Sequence, residues 1–248
     1  MIHLRNTHQI SLLREAGRIT AGCMEIVSSL IRPGVTTGEL NVAAEAFIRK
    51  NNATPTFLGY GGFPATICTS VNEAVVHGIP GDRVIIEGDI ISIDLGATYK
   101  GFVGDMARTF PVGEISQEAA DLILITKECF ERGFAMMRVG NYLTDISRAV
   151  QEHAEAHGYG VVRDLCGHGV GTKMHEEPSL PNYVDSRSNV KLKHGMVLAL
   201  EPMINLGTWE VDFLQDGWTT LTRDRKLSAH YENTVAVTDD GPIILTAL

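Results

Sequence analysis

The chain has 248 residues, 44% of them hydrophobic, enough to bury one substantial core within a single domain. Its formal net charge of -9, from 21 basic and 30 acidic side chains, works against contact with phosphate backbones, so direct nucleic-acid binding is not expected. No stretch approaches the roughly 18 apolar residues of a membrane span, residues 1–7 lack an apolar signal core, and Cys23, Cys68, Cys129 and Cys166 form no C-x-x-C pair, so a compact, monomeric globule in a reducing cytoplasm is the expectation.

Leu12, Leu13, Ala16, Ile19, Cys23, Ile26, Val27 and Leu30 recur at three- and four-residue steps and predict an amphipathic helix. After a turn around Pro33-Gly34, Thr36 and Glu39 have capping-box spacing, with Leu40, Ala43, Ala44, Phe47 and Ile48 on one face of a second helix. Residues 88–94 are an apolar, β-favouring run that closes on Asp94. Lys100-Gly101 reads as a hairpin turn that brings the chain back to Asp105. A second helix pair follows, marked by Leu122, Ile125, Cys129 and Phe130, then by Ile146, Ala149 and Val150, with a stop at Gly158. Residues 195–201 form another apolar run ending in a carboxylate, Glu201.

These elements repeat. The turn at Gly34 aligns with that at Gly140, an offset of 106, and Asp94 aligns with Glu201, an offset of 107. Two blocks that share nearly one offset argue for a duplicated helix-pair-plus-sheet unit, with halves of about 1–115 and 116–248 inside one domain spanning 1–248. The two sheets are expected to meet around a pseudo-twofold axis, with Asp94 and Glu201 facing each other across it.

Five residues are candidates for metal ligation: Asp94, Asp105, His168, Glu201 and Glu232. Each alone could be an ordinary surface or turn residue. As a set, four carboxylates and an imidazole beside apolar strands would be prohibitive to bury without cations. Oxygen-rich donors suit a pair of first-row divalent ions rather than a thiolate-bound structural zinc. His77 and His175 each begin an H-x-x-P pattern, which makes them candidate pseudo-symmetric partners able to donate to a developing oxyanion or leaving nitrogen. The pair His153 and His157 lacks the glutamate placement of a zinc-protease helix and is expected to lie on a solvated face. Cys68 and Cys166 are assigned to packing, because no triad context accompanies either. Gly59-Tyr60-Gly61-Gly62 lacks the ending of a phosphate loop.

At these residues the chain resembles the methionine aminopeptidases. The resemblance rests on Asn72-Glu73-Ala74-Val75-Val76-His77-Gly78-Ile79-Pro80, on Asp94 with Asp105, on residues 167–175, on Leu200-Glu201-Pro202-Met203, and on residues 228–235. It spans essentially the whole chain and implies an α+β pita-bread fold built from two pseudo-symmetric halves, each a helix pair with an antiparallel sheet. It further implies that Asp94 chelates one divalent ion, Asp105 and Glu232 bridge two, and His168 and Glu201 complete the second. Co, Mn or Fe(II) are the expected metals, with Zn and Ni as further candidates. Glu201 would also take a proton from the attacking water, His175 would stabilise the tetrahedral intermediate, and His77 would contact the scissile amide. A monovalent cation, Na or K, would lie near Asn72, Ala74 and Ser228. The methionine pocket would draw on Phe57, Tyr60, Phe63, Cys68, Met174 and Trp218, together with His77 and His175, whose aromatic edges and sulfurs suit a flexible thioether.

The implied activity is removal of the N-terminal initiator methionine from nascent proteins and peptides, preferably before a small residue, with only transient contact to a ribosome. Met174, Leu165 and Asn233 depart from the residues usual at their positions, which bears on pocket shape. No helical insertion fits between His175 and Glu201, as in the minimal bacterial form. Two rivals follow from the same residues: a proline-directed aminopeptidase or prolidase on this fold, and a non-catalytic pita-bread binding module.

Overall fold

The computed structural model describes residues 1–248, the side chain of Ser188 excepted. Helix α1, Thr7–Leu30, opens on a capping box between Asn6 and Gln9, and α2, Thr37–Lys50, on the one between Thr36 and Glu39. Helix α3, Gln117–Met136, is capped by Ser116, and at the start of α4, Leu143–Ala156, the Asp145 carboxylate accepts the Tyr142 N–H at 2.8 Å. Within the first pair the Cys23 thiol donates to the Ala44 carbonyl at 3.7 Å; within the second, Cys129 donates to Val150 at 3.6 Å. Both bonds span 21 residues, and burial pushes both thiols up to about 12, so they stay protonated donors. The two helix pairs are pinned by the same contact 106 positions apart.

Nine strands form the main sheet: β1 Thr54–Pro55, β2 Ile67–Val71, β3 Ile90–Tyr99, β4 Phe102–Pro111, β5 Gly167–Gly169, β6 Glu176–Leu180, β7 Val197–Leu200, β8 Glu232–Thr238 and β9 Gly241–Ile244. Their order is β1-β3-β4-β8-β7-β5-β6, with β2 also on β3 and β9 also on β8, and every pairing is antiparallel. The sequence repeat predicts two sheets meeting at an axis. Instead the strands of both halves join into one sheet through β4 and β8, where Glu232 faces Ala107 and Asn233 faces Met106. That pairing satisfies main-chain groups that two facing edges would leave open. Periodicity marks a strand but not the edge it seeks.

Helices and sheet share their cores by half. Cys23, Val27, Leu40 and Ile48 pack with Ile67, Ile91, Ile93 and Leu95. Leu122, Cys129, Phe130, Ile146 and Val150 pack with Leu198, Leu200 and Val235. Each fully buried Leu or Ile contributes about 1.5–3 kcal/mol. A third cluster, with Leu13, Phe57, Phe63, Cys68, Val103, Met174 and Ala199, lies between them and borders the site described below. Helix α1 lies against the sheet at Gly17 and Gly104, where a side chain on Gly104 would meet the backbone of Gly17, and Thr20 donates to the Gly104 carbonyl at 3.1 Å.

One helical expectation needs correction. His153 does not lie on a solvated face: it is buried, with Nε2 2.7 Å from Glu128 Oε2 of α3, because α3 and α4 pack together along that side. His157 is exposed and bonds through Nδ1 to the His153 carbonyl at 2.8 Å. Among the described residues no helix is long and apolar enough to cross a membrane.

Candidate metal centre

The β3–β4 hairpin turns at Lys100 and Gly101, both with positive φ (49° and 78°), as a two-residue antiparallel turn requires. Its register sets Asp94 opposite Ala107 and Asp105 opposite Gly96. Since alternate residues share a face, Asp94 and Asp105 project diagonally from the same side of the sheet. Glu232 opens β8 on the far side of β4, and a Thr234 hydroxyl bonded to both the N–H and the carbonyl of Asp105, each at 3.0 Å, locks those strands together. His168 is the middle residue of β5, beside Ala199 of β7, and Glu201 directly follows that strand.

The side chains converge. One ligand atom each from Asp105, His168 and Glu232 lies within 4.8 Å of the others. His168 Nε2 is 3.4 Å from Glu201 Oε1 and 3.7 Å from Asp105 Oδ2. On the other side of the imidazole, Nδ1 lies 2.9 Å from the Gly169 carbonyl. A carbonyl can only accept, so the proton sits on Nδ1 and the Nε2 lone pair faces the carboxylates. Asp94 lines the same cavity with them.

Electrostatics set this cluster apart. Burial raises the carboxyls of Asp94, Glu201 and Glu232 well above the ordinary range, and the neighbouring carboxylates add to the shift. Burial brings Asp105 up to about 7, even though hydrogen bonding from Glu232 and Met106 opposes it. Burial holds His168 down at about 3 and His77 at about 4, and lowers His175, so these rings are neutral. Asp94 Oδ1, Asp105 Oδ1 and Glu232 Oε1 are buried without a hydrogen-bond partner. An unsatisfied buried polar atom costs about 1–3 kcal/mol, and more when charged, so protein contacts alone do not account for the arrangement. A divalent cation would satisfy those oxygens, and four carboxylates with one neutral imidazole are a donor set that suits it.

The cavity, about 150 Å³, is lined on one side by these five residues and by His77 and His175. Phe57, Tyr60, Phe63, Cys68, Met174 and Trp218 line the remainder, so every residue expected at the metals or in the methionine pocket borders one space. The Phe63 and Trp218 rings meet edge to face at 5.1 Å, and His175 lies 4.2 Å from the His168 ring. Asn72 and Ser228 meet away from it, through the Ser228 N–H and the Asn72 carbonyl at 2.9 Å; Asn72 also bonds Asp89, Ser228 bonds Asn205, and Ala74 opens a neighbouring strand.

Sequence reasoning missed several neighbours. His230 is buried with neither ring nitrogen hydrogen-bonded, and its Nε2 lies 3.9 Å from both Glu201 and Glu232. Its two-residue spacing from Glu232 was the available signal. Arg108 stacks over the Tyr231 ring at 3.7 Å and bonds the Glu232 carbonyl and the Asn233 side chain at 2.5 and 2.8 Å, fixing Glu232 from behind. Nothing in the spacing around Arg108 announced that contact. Cys166, Val76 and Met203 also border the cavity, as does Leu165.

Helices backing a curled antiparallel sheet, with a buried acidic cluster on its inner face, define a metallopeptidase of the pita-bread class. Residues 11–239 match the model of metallopeptidase family M24. The methionine aminopeptidase of Clostridium acetobutylicum is 54% identical over 247 residues, covering 99% of each chain. The crystal structure of methionine aminopeptidase from Rickettsia prowazekii superposes with a TM-score of 0.97 at 40% identity, over 100% of both chains. A Xaa-Pro dipeptidase from Bacillus anthracis has a TM-score of 0.80 at 27% identity, with 99% of this chain but 62% of that one covered. The chain belongs to metallopeptidase family M24 and, within it, to the methionine aminopeptidases.

Proposed function

We propose that this metallopeptidase removes N-terminal methionine from polypeptides, preferably before a small second residue, using two divalent ions held by Asp94, Asp105, His168, Glu201 and Glu232. The observation that carries the reading is that the unpartnered oxygens of Asp94, Asp105 and Glu232 border the same cavity as Phe63, Met174 and Trp218. Metal donors and an apolar side-chain slot share one cavity, which suits a substrate anchored by its terminal residue. Two such cations supply Lewis-acid polarisation of the scissile carbonyl and a nucleophile at neutral pH.

The residues of the chain do the remainder. Glu201 is the carboxylate that accepts the proton of the attacking water. Its Oε1 lies 3.4 Å from His168 Nε2, within the cluster of donors where that water would be held. His175, neutral at pH 7, donates to the developing oxyanion, and His77 contacts the scissile amide. The free α-amine sits on the Asp94 side, which restricts action to chain ends. We further propose a monovalent cation, Na or K, near Asn72, Ala74 and Ser228, and a single domain that arose by duplication of halves 1–115 and 116–248. A monomer that touches the ribosome only in passing, in the cytoplasm, completes the reading.

The identity of 54% to a methionine aminopeptidase against 27% to a Xaa-Pro dipeptidase favours methionine over proline specificity. The test is turnover of Met-Ala-Ser, Met-Pro and Ala-Ala-Ser peptides after chelation and readdition of Mn, Fe(II), Co, Zn or Ni. Fast cleavage of Met-Ala-Ser alone, lost on chelation and restored by metal, is expected. Preference for the proline peptide, or turnover indifferent to chelation, would overturn the reading.

A further inference from the structure

The segment ahead of α1 reaches the site. Arg5 is buried at 8% exposure, and its guanidinium makes an ion pair with Glu176, whose side chain is equally hidden. The other Glu176 oxygen accepts the backbone N–H groups of Thr172 and Lys173, at 2.9 and 3.2 Å. One carboxylate therefore ties residue 5 to the loop 171–175. Gly171 has no room for a side chain, since a β-carbon there would fall on the Arg5 guanidinium and the Glu176 carboxylate. The main chain of Arg5 is fastened too: its N–H donates to the Gly195 carbonyl at 2.7 Å. The loop so held carries Met174 and His175, which both line the reaction cavity. A neighbouring cavity, bordered by His3, Thr172, Lys173 and Glu176, shares Cys166, His168 and His175 with it, so the segment abuts the site itself.

We propose that Arg5 is a positioning residue for the reaction: acting through Glu176, it fixes the loop 171–175 and hence the point from which His175 donates to the substrate. The inference rests on the role given to His175 above. A buried guanidinium fits the task because Nη2 of Arg5 engages one Glu176 oxygen while the other oxygen holds two amides. With Arg5 removed, Glu176 is left buried without its cation and is free to turn, and the loop loses its anchor. A catalytic donor displaced by an ångström costs turnover more than binding.

The experiment measures kcat, KM and metal content for Arg5→Ala, Arg5→Lys, Glu176→Gln, His175→Ala and the Arg5→Ala/His175→Ala pair, with amide exchange followed at Thr172 and Lys173. Arg5→Ala is expected to lower kcat about ten- to a hundredfold, with a smaller change in KM and metal content retained. Exchange at the two amides should quicken, Arg5→Lys should recover part of the loss, and the pair should be no slower than His175→Ala alone. Multiplicative losses in the pair, or wild-type kcat in Arg5→Ala, would overturn the inference while leaving the proposed function standing. Wild-type kcat in His175→Ala would overturn the role of His175 and this inference with it. Should Arg5→Ala fail to fold, Arg5→Lys and Glu176→Gln carry the same cycle with His175→Ala.

Discussion

Tyr60 Oη lies 2.7 Å from Nδ1 of His175, the one hydrogen bond that the His175 ring makes among the described residues. The loop that brings Tyr60 there bends at Gly59 and Gly61, both with positive φ (83° and 58°). Burial lowers the pKa of His175, so its ring is neutral and carries one proton. A tyrosine hydroxyl that donates to Nδ1 leaves that proton on Nε2, the nitrogen free to donate to an oxyanion. Tyr60→Phe removes the bond while keeping the ring. We expect kcat to fall about tenfold with KM and metal content near wild type, the loss of one positioned hydrogen bond. Steady-state kinetics check it, and an unchanged kcat would detach Tyr60 from the chemistry.

Asp94 offers a prediction whose sign depends on the metal. In metal-free protein its carboxyl is buried beside Asp105, with Oδ1 unpartnered. Asp94→Asn relieves like-charge crowding there, so the metal-free variant should melt at a higher temperature than metal-free wild type. With divalent metal added the order should reverse, because the variant has lost a ligand. Turnover should drop at least about a hundredfold. Melting curves with and without metal, alongside metal counts per chain, decide the matter; the same order under both conditions would remove Asp94 from the centre.

The pH dependence of metal binding follows from Asp105. Burial raises its carboxyl to about 7 in the metal-free fold. A raised carboxyl pKa stabilises the metal-free protein below the ordinary carboxylate range, a contribution lost as pH rises through 7. A cation must displace that proton, so metal affinity should climb with pH up to about 7 and then flatten for this group. His168, held at about 3 by burial, is already neutral throughout that window and adds no slope. Titration calorimetry in two buffers should show greater proton release at pH 6 than at pH 8, Asp105 adding its share to whatever Asp94, Glu201 and Glu232 release. Equal release at both values would contradict the assignment.

Much of this is legible in the amino-acid sequence. The heptad-like spacing of Leu13, Ala16, Cys23 and Val27 and the capping pair Thr36–Glu39 gave the first helices, because local periodicity and caps act over neighbouring residues. The cavity-lining residues were legible as a set, since burying four carboxylates has few solutions. The joining of both halves through β4 and β8 was not, for pairing partners 125 positions apart leave no local trace. Arg5 and Arg108 escaped for the same reason, since they matter through long-range contacts with Glu176 and the Glu232 carbonyl; His230 left only its two-residue spacing from Glu232 as a trace.

Gly104 belongs with these hidden positions, and its role can be tested. It sits in β4, one residue before Asp105, and a β-carbon there would fall on the N and Cα of Gly17 in α1. A mid-helix glycine normally weakens a helix by about 1 kcal/mol relative to alanine; Gly17 persists because a β-carbon there would fall on the backbone of Leu245, just beyond β9, while its own backbone lies against Gly104. The contact matters for chemistry as well as folding, since the strand it presses also carries Asp105 and pairs with β8 at Glu232. Gly104→Ala should therefore force α1 off the sheet and cost about 1–3 kcal/mol. The strand behind Asp105 should shift with it, so metal affinity should fall together with the denaturation midpoint. Gly101→Ala in the exposed turn is the control: its φ of 78° makes it strained as well, yet nothing packs on that site, so stability should drop while metal affinity holds. Denaturant melts and metal titrations on both variants separate the two. Loss of stability without loss of metal affinity in Gly104→Ala would show that the helix contact does not hold the ligand strand in place.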